Sequence, residues 1–179
     1  MQPLLAFSRG VDRVNTFFGS VATWLVLISC VISAGNASIR YLISSSSNAW
    51  LEIQWYMFSG IFLLGASYTL KVNEHVRVDV FYAIISDRAR LWVDAIGIAV
   101  FLLPATTLLA YMNWPFFVES WNIQEGSSNA GGLIRWPVKI LPPIGFALLT
   151  LQGFSELIKR VAALMGIQAI ETKYEKPLQ

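Results

Sequence analysis

The sequence VNTFFGSVATWLVLISCVISAGNASI, residues 14–39, decides the fold class. It is 26 residues long and contains no charged side chain. A helix needs about 20 mainly apolar residues to cross the hydrocarbon core of a bilayer. Three further uncharged runs have a similar character, at residues 53–70, 95–112 and 140–155. We therefore expect an all-α membrane protein with four transmembrane helices.

Residues that flank the last two runs extend the predicted helices. Asp94 suits the positive end of a helix dipole, and Lys139 and Glu156 can reach the membrane interface from inside a helix. Pro104, within the third run, predicts a kink. The predicted spans are residues 14–39, 53–70, 92–113 and 138–160, in a single membrane domain that covers residues 1–179.

The composition excludes several classes of function. Only 13% of the residues are charged, about half the share in a soluble domain, and no segment between the spans is long enough for a core of its own. One cysteine and one histidine argue against a disulfide framework, a zinc site or a haem anchor. The net charge of +2 is too small for a nucleic-acid partner. We expect neither an enzyme nor a cofactor in this chain.

The basic residues predict the orientation in the membrane. Ten of the 13 Lys and Arg residues lie on one side of the predicted spans, and Lys and Arg are enriched in cytoplasmic segments. Both termini are therefore expected in the cytoplasm, and the segments 42–52 and 113–136 face outward. A cleaved signal peptide is the alternative for the first span, but its apolar region would be only about 7–15 residues long.

A short amphipathic helix is predicted between the second and third spans, at residues 76–90. Val78 and Phe81 belong to an apolar set with helical spacing, and Arg77 marks the polar side. This pattern is typical of a helix that lies in the membrane interface, although a simple cytoplasmic loop is the alternative. Ser86 has the right chemistry to cap the helix that follows.

Several residues near the span ends are candidates for structural roles. Trp55 and Trp136 fit an aromatic belt at headgroup level, and Gly65 permits close approach of another helix. Glu52 and Arg40 lie at the same predicted end, so we expect them to pair. The alternatives for Glu52 are a basic group on a partner, or a role as a proton or cation site.

His75, Arg77 and Asp79 follow the second span. No second histidine or neighbouring cysteine completes a metal site, and the GxSxG motif of a hydrolase is absent. We expect a structural hydrogen bond for His75, and we expect Asp79 and Arg77 to fix the interfacial helix. No charged residue lies near the middle of a predicted span, where ion-coupled carriers usually place polar groups.

Four motifs carry a family resemblance. In order they are NASIRY at 36–41, WLEIQWYMF at 50–58, HVRVD at 75–79 and GGLIRWPVKI at 131–140, the last followed by PIGF at 143–146. Together with the order of the spans, they resemble the small, DctQ-like membrane subunit of TRAP (tripartite ATP-independent periplasmic) transporters. The resemblance covers roughly residues 36–160.

The resemblance implies a heteromeric complex in the bacterial inner membrane. In this family a large membrane subunit carries the solute and sodium ions by an elevator motion, and a periplasmic binding protein delivers the solute, often a carboxylate. The small subunit is a scaffold without catalytic, cofactor or metal residues, in contact with both proteins and with membrane lipids. The residues expected to serve in structure or partner contact are Arg40, Glu52, Trp55, Gly65, His75, Arg77, Asp79 and Trp136.

One reading from a different class remains open. The chain could be a self-sufficient, homo-oligomeric four-span carrier or channel. Small exporters of that kind place an essential acid inside their first helix, and this chain has no acid between residues 14 and 39.

Overall fold

The computed structural model describes residues 1–45, 47–74 and 85–167, and within these ranges the fold is all-helical with no strand. A π-helical turn, Ile98–Leu102, joins the third and fourth helices into one continuous stretch. The helices are α1 (Gln2–Ile43), α2 (Asn48–Val72), α3 (Asp87–Gly97), α4 (Leu103–Asn122), α5 (Trp136–Lys139) and α6 (Leu141–Leu164).

Three helical stretches are long and apolar enough to cross a membrane, namely Gln2–Ile43, Asp87–Asn122 and Trp136–Leu164. The predicted all-α fold is therefore confirmed for the described residues, with three candidate membrane-spanning stretches. Helix α2 has 25 residues but is not in that apolar set, because residues such as Gln54 and Tyr56 lower its hydropathy. The count of four spans stays a prediction.

The helices extend beyond the apolar runs, so two predicted loops are wrong in extent. Helix α1 continues to Ile43 and α2 begins at Asn48, which leaves only a short connection where we expected a loop at 42–52. Helix α4 continues to Asn122, so the segment predicted at 113–136 is helical over its first part. Hydropathy marks the hydrocarbon boundary, whereas backbone hydrogen bonding continues through the interface.

The start of α3 agrees with the predicted cap. Ser86 precedes the helix, and its Oγ accepts a hydrogen bond from Ala89 N at 3.4 Å. Most of the predicted interfacial helix at 76–90 falls in residues 75–84, which lie outside the described residues. Its last four positions, 87–90, form the first turn of α3.

The predicted kink at Pro104 corresponds to a change of helix type. Proline has no N–H to donate within a helix, and just before it Leu103 N bonds to Ile98 O, five residues back. Such π-helical turns accommodate an interruption without breaking the helix.

Glycines set the closest contacts between the helices. A Cβ added to Gly145 in α6 would lie 2.7 Å from Leu63 Cβ and 2.8 Å from Leu63 O in α2. At Gly153 it would lie 2.6 Å from a methyl group of Leu102. Helix α6 contacts α1, α2, α3 and α4, so it occupies the centre of the bundle, and small side chains let its neighbours approach its backbone.

Helices α1 and α2 form an antiparallel pair, because Gly19 lies against Tyr68 and Gly60 against Leu25. Ile43, Asn48 and the segment 123–135 therefore lie at one end of the bundle, which we call the loop end. The opposite end carries Gln2, Val72 and Leu164, and we call it the terminal end.

Candidate functional site

At the loop end, the carboxylate of Glu52 binds the segment 123–135. Its Oε1 accepts hydrogen bonds from Ser127 Oγ and from Asn129 Nδ2, the latter at 2.9 Å. Its Oε2 accepts one from Leu133 N at 2.6 Å. Glu52 is only 5% exposed, so its negative charge is stabilised by hydrogen bonds from these neutral donors rather than by water. The predicted pair between Glu52 and Arg40 is wrong.

Two more residues on the same face of α2 hold this segment. Asn48 Nδ2 donates to Ala130 O at 2.9 Å, and Tyr56 Oη donates to Ile134 O at 3.1 Å. These residues and Glu52 are spaced four apart, so they form one stripe along the helix. We call the segment 123–135, as held by this stripe, the clamped loop.

Glycine is required where the clamped loop meets Glu52. A Cβ added to Gly132 would lie 2.5 Å from Ser127 Cβ and 2.8 Å from Glu52 Oε1. Gly131 has a φ of 69°, in the region that favours glycine. The pair Gly131-Gly132 therefore lets the chain turn back against α2.

An ion pair and a ring contact secure the base of the clamped loop. Glu125 pairs with Lys139 Nζ, and this hydrogen bond is the main cause that lowers the pKa of Glu125 below its ordinary value. The rings of Trp121 and Trp136 meet edge to face at 4.5 Å. The loop is thus tied to α2, α4 and α5 together, which makes it a defined polar surface.

A second polar cluster lies at the terminal end, between α1 and α6. Gln152 and Asn15 are both 0% exposed, and Asn15 Nδ2 donates to Gln152 Oε1 at 2.7 Å. Gln152 Nε2 in turn donates to Asp12 Oδ1 at 3.0 Å and to Glu156 Oε1 at 2.9 Å. The cluster cross-links the two helices.

The acids of this cluster are neutralised by two bases of α6. Lys159 Nζ lies 2.8 Å from Asp12 Oδ2 and 2.7 Å from Glu156 Oε1. Arg160 bonds to Glu156, and its Nε lies 3.2 Å from Asp94 Oδ2 in α3. The contacts of Glu156 with Lys159 and Arg160, three and four residues further along α6, therefore belong to a buried network between three helices.

An apolar groove runs between α2 and α3, with part of α6 as its floor. Its volume is about 940 Å³, and we call it the α2–α3 groove. Gly97 lies in its wall, and a Cβ added there would meet nothing within 4 Å. Gly65 also lines the groove, where an added Cβ would make only an ordinary contact with Ala22 at 3.7 Å, and its predicted close approach to another helix stays a prediction. Other lining residues are Ile61, Phe62, Ala66, Val93, Phe101 and Leu149.

The remaining predicted residues are dispersed. Arg40 is exposed at the end of α1, Trp55 is 66% exposed on α2, and Trp136 begins α5. The residues His75, Arg77 and Asp79 lie outside the described part of the chain, so their roles stay predictions.

Sequence reasoning missed the network around Gln152. Its polar residues in α6 are spaced three and four apart, at positions 152, 155, 156 and 159. That spacing places them on one helix face and was the available signal. In the ranges that the structure describes, no group of three or more His, Cys, Asp or Glu residues is arranged to hold a metal ion.

The comparisons with known proteins give one match. A family model described as the DctQ component of tripartite ATP-independent periplasmic transporters matches residues 29–163. No curated protein and no solved structure matches the chain. The matched residues include the clamped loop, the α2–α3 groove, all of α2, α3, α4 and α5, nearly all of α6 and the last third of α1. The chain therefore belongs to the DctQ family, whose members are transporter components and not enzymes.

Proposed function

We propose that this chain is the scaffold subunit of a sodium-coupled transporter for a carboxylate-type solute. In this proposal a large membrane subunit carries the solute and the sodium ions, and a periplasmic protein delivers the solute. Membership of the DctQ family supports the complex. The scaffold role is supported by the absence of charged residues from 14–39, 53–70, 95–112 and 140–155, because ion-coupled carriers need polar groups near the midplane.

We place all four long helices across the bacterial inner membrane, with both termini in the cytoplasm. Helix α2 packs against α1 and α6, two helices that belong to apolar spanning stretches, so it shares their surroundings. The excess of Lys and Arg at the terminal end supports the orientation. The clamped loop then faces the periplasm.

We propose that a helix of the large subunit packs in the α2–α3 groove. Helices in membranes associate through small residues that allow close backbone approach, and Gly65, Ala66 and Gly97 line this groove. Phe62 and Phe101 are 70% and 72% exposed, and they provide aromatic surface for a partner helix.

We propose that the periplasmic binding protein docks on the clamped loop. The observation that carries the proposal is the binding of this loop to α2 through Glu52. A docking surface that is already ordered loses less conformational entropy when the partner binds. The loop also carries polar side chains such as Asn129 and Arg135, at the end of an otherwise apolar body.

A side chain that fills the α2–α3 groove tests whether the large subunit binds there. In Gly97→Leu the new Cβ meets no atom of the described residues within 4 Å, but the leucine side chain occupies the groove. We expect this variant to fold and to lose co-purification of the large subunit. Gly35→Leu, at a second open position on α1, is the matched control and should keep the partner. Equal recovery of the large subunit with both variants would contradict this assignment.

The clamped loop is tested by removing its anchor. In Glu52→Ala the loop loses its three hydrogen bonds to a charged acceptor, a type of bond stronger than neutral ones. We expect amide hydrogen exchange at 127–133 to rise at least about tenfold, and binding of the periplasmic protein to weaken while the large subunit stays attached. The control is Glu119→Ala, which changes an exposed glutamate of α4. Unchanged exchange and unchanged binding would refute the docking role.

A further inference from the structure

A second pocket lies at the loop end, between α1 and α2, on the surface where Arg40 is found. Its volume is about 460 Å³, and we call it the Arg40 pocket. Its lining residues are Ser33, Asn36, Arg40 and Tyr41 from α1, with Leu51 and Gln54 from α2. Ser33, Asn36 and Arg40 are spaced three and four apart, so they share one face of α1.

The pocket contains hydrogen-bond donors that have no partner among the described residues. Asn36 is 9% exposed and makes no side-chain hydrogen bond within the part of the chain that the structure describes. The amide atoms of Asn36 are not enclosed by the protein, so they are accessible to a ligand in the pocket. The guanidinium of Arg40 also has no partner, since it forms no ion pair with any described residue. Ser33 adds a hydroxyl donor, so three donors line the pocket without a hydrogen bond to an acceptor of the described residues.

The charge of the pocket favours an anion. Arg40 is the one charged residue among its lining residues, and arginine offers several donors in a geometry that suits phosphate oxygens. Glu52 belongs to the adjacent helix, but its carboxylate is held by the clamped loop. The pocket therefore has a net positive charge and no carboxylate of its own.

The surroundings of the pocket are those of the lipid headgroup region. Tyr41, Leu42 and Ile43 follow Arg40 and are 89%, 78% and 70% exposed. Trp50, 46% exposed, lies in the first turn of α2 at the same end of the bundle. Aromatic residues with arginine at helix ends are typical of the level of the headgroups. Val26, 45% exposed, lies on the same face of α1 as Ser33 and Arg40, since the three are spaced seven apart, so apolar surface continues from this level toward the middle of the helix.

We propose that the Arg40 pocket binds the phosphate of an anionic phospholipid whose headgroup carries no ammonium group. Arg40 pairs with the phosphate, and Asn36 and Ser33 donate hydrogen bonds to its oxygens. A phosphoethanolamine headgroup fits less well, because no carboxylate in the pocket receives its ammonium group. The proposal requires only that the bundle lies in a bilayer, and it is independent of the transported solute.

The test is native mass spectrometry of the full chain, purified with its partners, delipidated, and titrated with phosphatidylglycerol or phosphatidylethanolamine. We expect preferential binding of phosphatidylglycerol and about tenfold weaker binding in Arg40→Gln, in keeping with the loss of one charge-assisted contact. Arg40→Lys keeps the charge and should lose less. Arg9→Gln, at the opposite end of α1, is the matched control and should leave this site unchanged.

Three results would overturn the proposal. The first is equal binding of the two lipids, and the second is unchanged phosphatidylglycerol binding in an Arg40→Gln variant whose helix content is intact. The third is displacement of the lipid by millimolar inorganic phosphate, which would identify a site for free phosphate. Loss of the large subunit in Arg40→Gln without loss of lipid would instead identify a carboxylate of that subunit as the occupant. Failure of the transporter assignment is separate, because Gly97→Leu tests it.

Discussion

Replacing Gln152 with leucine is expected to destabilise the bundle from within. Gln152 is 0% exposed, and its amide links Asn15 in α1 to Asp12 and to Glu156. Leucine has a similar volume, so no large cavity forms, but all of these hydrogen bonds are lost.

The size of the effect follows from what each partner retains. Asp12 and Glu156 keep Lys159, and Glu156 also keeps Arg160. Asn15 is left without a side-chain hydrogen bond to any described residue. Its Nδ2 loses Gln152 Oε1, and its Oδ1 already has no hydrogen-bond partner in the described structure. A buried amide without partners costs about 1–3 kcal/mol, and weaker bonding of the two carboxylates adds about 1 kcal/mol. We expect Gln152→Leu to lower the free energy of unfolding by about 3 kcal/mol.

A double-mutant cycle identifies the cause. In Asn15→Leu/Gln152→Leu both partners are apolar, and replacing both partners of a hydrogen bond is nearly neutral when the shapes match. We therefore expect the free energy of unfolding of the double variant to exceed that of Gln152→Leu by about 2 kcal/mol. The assay is unfolding in detergent micelles, followed by circular dichroism. Gln54→Leu is the control, since its side chain bonds within its own helix, and it should change stability by less than about 0.5 kcal/mol. A double variant no more stable than Gln152→Leu would refute the reasoning.

Two further predictions concern packing and pH. Gly145→Ala should lower the free energy of unfolding by about 1–3 kcal/mol, because the new methyl group overlaps Leu63. The control Gly35→Ala, at an open position, should be neutral or stabilising. Equal unfolding midpoints for the two variants would contradict the close contact between α6 and α2. The lowered pKa of Glu125 means that its contribution to loop order is present above about pH 4.5 and is lost as the pH falls through the lower folded value. Tryptophan fluorescence should therefore be constant from pH 7 to pH 5 and change below, with Lys139→Gln moving the change to higher pH; an unmoved onset would count against the ion pair.

The membrane fold could be predicted because it depends on composition over long windows. The runs 14–39 and 53–70 lie inside α1 and α2, and the runs 95–112 and 140–155 lie inside the helical stretches Asp87–Asn122 and Trp136–Leu164. Apolar residues in lipid leave the backbone no hydrogen-bond partner except itself. Helix ends could not be found in this way. Residues 2–13 and 113–122 are helical but contain the polar and aromatic side chains of an interface, so their hydropathy resembles that of a loop.

The partners of Glu52 could not be predicted because they are distant in sequence. Ser127, Asn129 and Leu133 lie 75 to 81 residues away, and one of the donors is a backbone N–H. Arg40 was the expected partner because it is basic and lies at the same end. The carboxylate instead accepts hydrogen bonds from neutral donors, and Arg40 is exposed at the end of α1.

The most direct test of the scaffold account is ion flux through the isolated chain. The full chain is reconstituted alone in liposomes and radioactive sodium uptake is measured, then the measurement is repeated with the large subunit, the binding protein and a panel of carboxylate solutes. The account predicts that the chain alone matches empty liposomes and that solute-dependent sodium uptake appears only with the large subunit. Sodium uptake by the chain alone, above that of empty liposomes, would contradict it.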